Sequence, residues 1–259
     1  VNGQWVFRFP RRQFAVPFME AESRLLPWLA GRLPVPIPAP PFVGRPTGAF
    51  PWPFAGYRLI AGRTACRANL SRDQRLALAA PLGRFLRALH ATDAAEARRF
   101  GATGDTIGRL DVARRRPAAD ARLNDAVAAG LVADAGPIRA ALDAAPADYR
   151  PRSDTLLQGD LYARHVVVDD AGDLAGVIDW GDAHVGDPAT DLMVVYALLP
   201  AAARPAFFDA YGPVDELTLR VARWRAASHT LAVVAYAADI ADADLLREGK
   251  AALANLAEA

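Results

Sequence analysis

Leu157-Gln-Gly-Asp160-Leu-Tyr-Ala-Arg-His165-Val-Val-Val-Asp-Asp-Ala-Gly-Asp-Leu-Ala-Gly-Val-Ile-Asp179-Trp-Gly-Asp-Ala-His-Val-Gly-Asp187-Pro-Ala-Thr-Asp191 sets aspartates just outside short apolar runs. Thr155 to Leu157, His165 to Val168 and Leu174 to Ile178 read as three short buried strands. The last two are joined by Asp169-Asp170-Ala171-Gly172-Asp173, whose aspartates are residues such a turn demands. Asp160 and Asp179 differ: each stands at the end of an apolar run, where a rigid strand holds a carboxylate within reach of solvent and ligand. If the flanking strands pair side by side, Asp160, His165 and Asp179 come to one rim.

A chain of 259 residues, 53% hydrophobic, can bury a large core as one domain or two lobes. No apolar run approaches the roughly 20 residues that span a bilayer, so no membrane partner is expected. The single cysteine, Cys66, cannot form an internal disulfide, which suits a reducing cytoplasm, and it reads as a structural bystander. The net charge of +1 hides an asymmetry: residues 1–150 are rich in arginine, whereas Ser153 to Asp191 holds nine aspartates and one arginine, Arg164. A basic wall facing an acidic one suggests a cleft for anionic groups on one side and cations on the other. The arginines are scattered without interleaved aromatics, which speaks against nucleic acid. The pattern leaves the oligomeric state open.

Trp5 to Phe9 and Ala55 to Ile60 read as strands, with Arg8 in the first. Pro17 suits the first turn of a helix whose apolar face is Met19, Leu25, Leu26 and Leu29, with Glu22 on a neighbouring face and Pro27 as a kink or break. The proline-rich stretch from Leu33 to Pro53 must run extended or turning. Ser71 is a good N-cap for a helix running to about His90, interrupted at Pro81 and ended by His90 as a C-terminal cap. Helices are expected over 106–130 and 137–144, with Arg114, Arg115 and Arg116 as a solvated face. Four further helical segments, 189–199, 201–211, 215–238 and 239–257, complete a chain with mixed sheet first and helices later, a segregated α+β class.

A carboxylate that orients or deprotonates a hydroxyl, beside one that holds magnesium on phosphate oxygens, is the minimum equipment for phosphoryl transfer. The ordered segments Gln158 to His165, Gly176 to Trp180 and Gly186 to Leu192 resemble the aminoglycoside and macrolide phosphotransferase family of antibiotic kinases. The resemblance implies a two-lobed, protein-kinase-like fold. Residues 1–61 would form a small nucleotide-binding sheet lobe, incomplete at its start, and residues 62–259 a larger, mainly helical catalytic and substrate-binding lobe. It also implies Asp160 as the catalytic aspartate, His165 and Asp179 as magnesium ligands, and ATP or GTP as donor. Arg8 would grip the nucleotide phosphates, with Glu22 as its partner; Lys250 is the only lysine, so no lysine can fill that place. Tyr57 to Ala61, Tyr57 and Ile60 included, would border the base.

Asp187 and Asp191 would brace the loop, while Asp182 and His184 would lie within reach of substrate. The function so implied is magnesium-dependent transfer of a γ-phosphate to a hydroxyl of an antibiotic-like small molecule. Gln158, where the family usually has His, keeps open a catalytically impaired nucleotide-binding homologue. A kinase for a metabolite such as choline, homoserine or an amino sugar would use the same site.

Overall fold

The computed structural model describes residues 1–258. The first sheet is antiparallel and contains β1 (Trp5–Arg8), β2 (Phe42–Gly44) and β3 (Phe54–Arg58) in the order β1-β3-β2. Its register pairs Val6 with Tyr57 and Arg8 with Ala55, so the alternation of strand side chains puts Arg8 and Tyr57 on one face. Between β1 and β2 runs α1 (Val16–Ala30), which starts on Pro17 and buries Met19, Glu22, Leu25, Leu26 and Leu29. Glu22 is thus on the buried face itself. Pro27 does not divide the helix as expected; α1 is continuous to Ala30.

Next come β4 (Arg63–Thr64), α2 (Ala65–Ala68), α3 (Arg72–Ala77) and α4 (Ala79–His90). Ser71 does cap α3, in a reciprocal box with Gln74. The expected single helix is two, joined at Leu78. The physical reason is Pro81: lacking an N–H, it cannot bond the Ala77 carbonyl, and it is instead placed in the first turn of α4, where that loss is tolerated. Gly83 on α4 lets α10 (below) approach closely, because a Cβ there would lie 2.5 Å from the Phe207 carbonyl oxygen.

The chain continues through α5 (Ala94–Arg99), β5 (Thr103–Gly104), α6 (Val112–Ala128) and α7 (Gly136–Asp143). The first of these expected helices starts at Val112, not Thr106, because Asp105 folds the preceding segment into a loop, accepting from the backbone N–H groups of Ile107 and Arg109. Nor are the three arginines simply a solvated face. Arg115 donates to the carbonyls of Ile107 and Gly108, and Arg116 to Asp120, Asp143 and the Leu142 carbonyl.

The central stretch forms β6 (Thr155–Leu157), β7 (Val166–Val168), β8 (Leu174–Val177) and β9 (His184–Gly186). β7 and β8 form the anticipated hairpin, its turn held by Asp169 Oδ1 accepting from the amides of Ala171 and Asp173. β6 belongs to a different sheet, pairing with β9, a strand not anticipated from the sequence, which also pairs with β5. Helices α8 (Ala189–Leu192), α9 (Val194–Ala197), α10 (Arg204–Tyr211), α11 (Glu216–Asp239) and α12 (Ala243–Ala257) follow. α11 packs on α6, α7, α8, α9 and α12 and carries the fully buried Trp224, so it is the axis of the helical region. No helix among the described residues is long and apolar enough to cross a membrane.

Removing the Ser71 hydroxyl strips α3 of its capping box. Ser71→Ala is expected to cost about 1 kcal/mol in urea denaturation with an unchanged m-value.

Candidate active site

The loop bearing Asp160 is built from backbone amides and buried carboxylates. Asp191, fully buried in α8, accepts from the amides of Gln158 and Gly159, both at 2.8 Å. His90 reaches the same carboxylate, its Nε2 3.4 Å from Asp191 Oδ2, while Tyr211 OH lies 2.7 Å from its Nδ1. His90 is therefore an internal brace and not the expected helix cap. Asp187 accepts from Tyr149 OH (2.6 Å) and from the amides of Arg152 and Ala189 (2.9 Å each). Both acids serve the scaffold, as the sequence suggested.

Gly159 has φ +89° and sits so close to β9 that a Cβ would meet the Asp182 carbonyl oxygen at 2.1 Å. Gln158 is fully buried and spans the two acidic loops. Its Oε1 accepts from the Asp160 amide (2.8 Å), and its Nε2 donates to the carbonyls of Ile178 (3.2 Å) and Asp179 (2.6 Å). The amide uses one acceptor bond and both donors here, so glutamine ties the loops together through three hydrogen bonds.

The structure brings Asp160, His165 and Asp179 together. The Ile178 amide donates to the His165 carbonyl (2.9 Å), extending the β7–β8 hairpin to its open end and seating Asp179 beside the imidazole. His165 Nδ1 donates to the Asp160 carbonyl (2.8 Å), and a carbonyl only accepts, so this nitrogen bears the hydrogen. Nε2 faces Asp179 Oδ2 at 3.4 Å. Asp179 has φ +57°, in the left-handed region that aspartate tolerates better than most residues, and its side chain is half exposed. A cleft of about 250 Å³ opens on this pair, lined also by Thr64, Cys66, Arg67 and Arg164.

Asp160 Oδ1 accepts a hydrogen bond from His229 Nε2 at 3.0 Å. His229 comes from α11, about seventy residues downstream, and was not foreseen. Tyr162 packs edge-on between the two imidazoles, 4.7 Å from His165 and 4.9 Å from His229. Burial alone would raise the Asp160 carboxyl; the His229 hydrogen bond and the nearby His229, His165 and Arg225 outweigh it and hold the group at about 2. Burial lowers His229 despite the bond to Asp160, so near neutral pH it is a neutral donor to an ionised carboxylate. Asp160 Oδ2, whose nearest ionic neighbour is His165 Nδ1 at 3.6 Å, is left to face a ligand.

Arg8 donates through Nη1 to Glu22 Oε2 (2.6 Å) and through Nη2 to Asp179 Oδ1 (3.2 Å), joining β1, α1 and the loop after β8. Tyr57 shares the face of Arg8, and Ile60 packs on Gly176 of β8, where a glycine Cβ would come within 2.9 Å of its side chain. Asp182 and His184 lie elsewhere: Asp182 pairs with the buried Arg109, which also donates to the Gly159 carbonyl (3.1 Å), and His184 is buried on β9. The supposed acidic wall is largely consumed in such bracing.

Burial pushes the Glu22 carboxyl up to about 7, more than Arg8 pulls it down. A carboxyl that binds its proton more tightly folded than unfolded makes folding less favourable as pH rises between the two values. On the order of 3 kcal/mol of stability is therefore expected to be lost between about pH 4.5 and about 7. Urea denaturation across this range should show that loss in the native chain and not in Glu22→Gln. Equal slopes in both proteins would contradict the assignment.

The fold superposes on the GDP complex of wild-type aminoglycoside 2'-phosphotransferase-IIIa with TM-score 0.66 at 24% identity, covering 99% of this chain and 87% of that one. It also superposes on the macrolide 2'-phosphotransferase MphH apoenzyme from Brachybacterium faecium, with TM-score 0.60 at 27% identity over 96% and 84% of the two chains. The two-lobed, kinase-like α+β architecture is thereby shown. The uncharacterized protein YcbJ of Bacillus subtilis (strain 168) is 39% identical over 46 residues, a match that spans 18% of this chain and 15% of that protein. The model of the Phosphotransferase enzyme family (APH) matches residues 1–226, and the chain belongs to that family.

Proposed function

We propose that this protein is a magnesium-dependent small-molecule kinase that transfers the γ-phosphate of ATP or GTP to a hydroxyl of an antibiotic-like acceptor. The observation that carries the reading is the division of labour on Asp160: His229 pins Oδ1, while Oδ2 stays free beside the His165–Asp179 pair. Structural neighbours with bound GDP or ADP support a nucleotide donor, and complexes with kanamycin or gentamicin support a small hydroxylated acceptor.

Asp160 Oδ2 accepts the acceptor's O–H and orients its oxygen toward the γ-phosphorus. An aspartate held at about 2 is a weak base toward a free alcohol. The alcohol becomes acidic as its oxygen bonds to phosphorus, so the proton passes to Asp160 late, as the bond between the γ-phosphorus and its bridging oxygen breaks and the nucleoside diphosphate leaves. Arg8, held between Glu22 and Asp179, supplies a planar cation for the phosphates.

Among the described residues no three His, Cys, Asp or Glu side chains form a ready metal cage. Magnesium rarely needs one, because it takes one or two carboxylates together with phosphate oxygens and waters. The donor set fits: Asp179 offers a half-exposed carboxylate, and His165 Nε2 lies 3.4 Å from its Oδ2. Bound there, magnesium would neutralise charge on the transferring phosphates. Lobe 1–61 would carry the nucleotide and 62–259 the acceptor, with Tyr57 and Ile60 flanking the base. Gln158 keeps every contact needed to hold the loop, which favours an active enzyme over an impaired homologue.

Asp160→Asn is expected to slow phosphate transfer by about 10²–10⁴-fold while nucleotide still binds in calorimetry. Asp179→Asn should remove the magnesium dependence of that binding. An unchanged transfer rate in the first variant, or nucleotide affinity indifferent to magnesium in the native protein, would overturn the proposal.

A further inference from the structure

Arg225 lies on α11 one turn before His229 and is only 7% exposed. Its Nε is buried without a hydrogen-bond partner. Two other arginines share that feature, but each is tied through its fork: Arg204 Nη2 donates to the Asn255 carbonyl (2.6 Å) and Arg223 Nη2 to the Leu256 carbonyl (3.2 Å). Among the described residues Arg225 has no such bond, and no carboxylate lies within ion-pair distance. The charges it feels most are those of Asp160, Arg115, Arg109 and Asp105. Asp160 is already bonded to His229, and Asp105 to Arg109 at 2.8 Å, so the local balance is positive.

Burial draws this guanidinium down to about 10, which still leaves it charged at neutral pH. A buried cation without a counter-ion is costly, and it cannot escape by losing its proton. An orphan donor of this kind next to a reacting carboxylate calls for a partner that arrives with the ligand. Its principal neighbours come from α6, the 105–109 loop and the catalytic loop, whereas the phosphate-gripping groups Arg8 and Glu22 come from β1 and α1. The missing partner is thus expected to come with a ligand that reaches Asp160.

We propose that Arg225 binds an oxyanion of the acceptor, a carboxylate or phosphate carried near the hydroxyl presented to Asp160. This rests on the kinase reading and narrows its substrate. Polycationic aminoglycosides are disfavoured by the same charge. Three of the helical acids are occupied as well: Asp215 caps α11, and Asp242 and Asp244 pair with Arg67 at 3.1 and 3.2 Å. A guanidinium fork matches either oxyanion in bidentate fashion, which a neutral alcohol cannot exploit.

Two measurements on the full chain test this. In the first, the protein is saturated with magnesium and a non-hydrolysable nucleotide so that the donor site is filled, and melting is followed against inorganic phosphate. Phosphate should raise the melting temperature of the native protein and leave Arg225→Met unmoved; without phosphate, Arg225→Met should melt no lower than the native chain, because it loses a buried unpaired charge. An equal response to phosphate in both proteins would sink the inference.

In the second, turnover is compared across hydroxy carboxylates, phosphorylated alcohols, neutral polyols and aminoglycosides. One anionic class should be preferred, identifying carboxylate or phosphate as the source of the oxyanion. Arg225→Met should lower its kcat/KM by roughly 10- to 100-fold, mainly through KM, and Arg225→Lys should restore part of that. Preference for cationic acceptors, or an equal loss of kcat for neutral and anionic acceptors, would overturn the inference and leave the kinase standing. Failure of every class with the native protein would overturn the kinase reading and this inference with it.

Discussion

The site depends on one buried carboxylate that does no chemistry. Asp191 is fully buried in α8, and its two oxygens receive the successive amides of Gln158 and Gly159. These amides belong to an irregular segment between β6 and β7, where no ladder exists to satisfy them, so the carboxylate substitutes for a strand. Burying an ionised aspartate is tolerable only because charge-assisted hydrogen bonds replace its water. The result is a loop whose backbone is fixed from below, leaving the Asp160 side chain to be positioned from above by His229. Gln158 extends the constraint across to the carbonyl of Asp179, so Asp160 and Asp179 are set by one continuous network.

The nucleotide side uses a different economy. Arg8 bridges a helix acid and a loop acid with one planar fork, where a lysine ammonium would act as a point charge. Arg8 faces one Asp179 oxygen and His165 Nε2 the other. Phosphate oxygens entering the cleft would compete for Arg8 and release one of those oxygens. A left-handed φ at Asp179 is the cost of aiming its carboxylate this way, and the hydrogen bond between the Ile178 amide and the His165 carbonyl holds the conformation in place.

What the sequence discloses follows the range of the interactions involved. The aspartates at strand ends and the turn at Asp169 are legible because each acts within its own segment, whereas the bracing pair Asp187 and Asp191 reaches more than thirty residues back and is read through the family resemblance. Arg8 and Glu22 become interpretable only through a family resemblance, since nothing local marks a strand arginine as functional. His229, Arg225 and Arg109 leave no signal. α11 buries residues around most of its circumference, including the consecutive Trp224, Arg225, Ala226, Ala227 and Ser228, so no polar stripe singles out the face that meets Asp160. The strand β9 escapes notice because it has three residues and a histidine at its start. The charge asymmetry misleads in the opposite direction: an excess of aspartates reads as an acidic cleft, yet most of them are spent on backbone amides and arginines.

That inversion bears on how the acceptor site is constructed. Around Asp160 the fold places two imidazoles and a buried guanidinium, two of the three from α11, while the carboxylates nearby are already paired. Such an environment stabilises the ionised form of Asp160 before any substrate arrives, which makes it a firm hydrogen-bond acceptor and a reluctant base. It suits a reaction in which the hydroxyl must be oriented early and deprotonated late. Because α11 is packed against five other helices, the spacing of Arg225 and His229 from Asp160 is fixed by the core and not by a mobile loop. Under the proposed role of Arg225, choice of acceptor would be tied to a helix packed into the core, and a substitution that changes the charge on that face would alter specificity without needing to reshape the cleft.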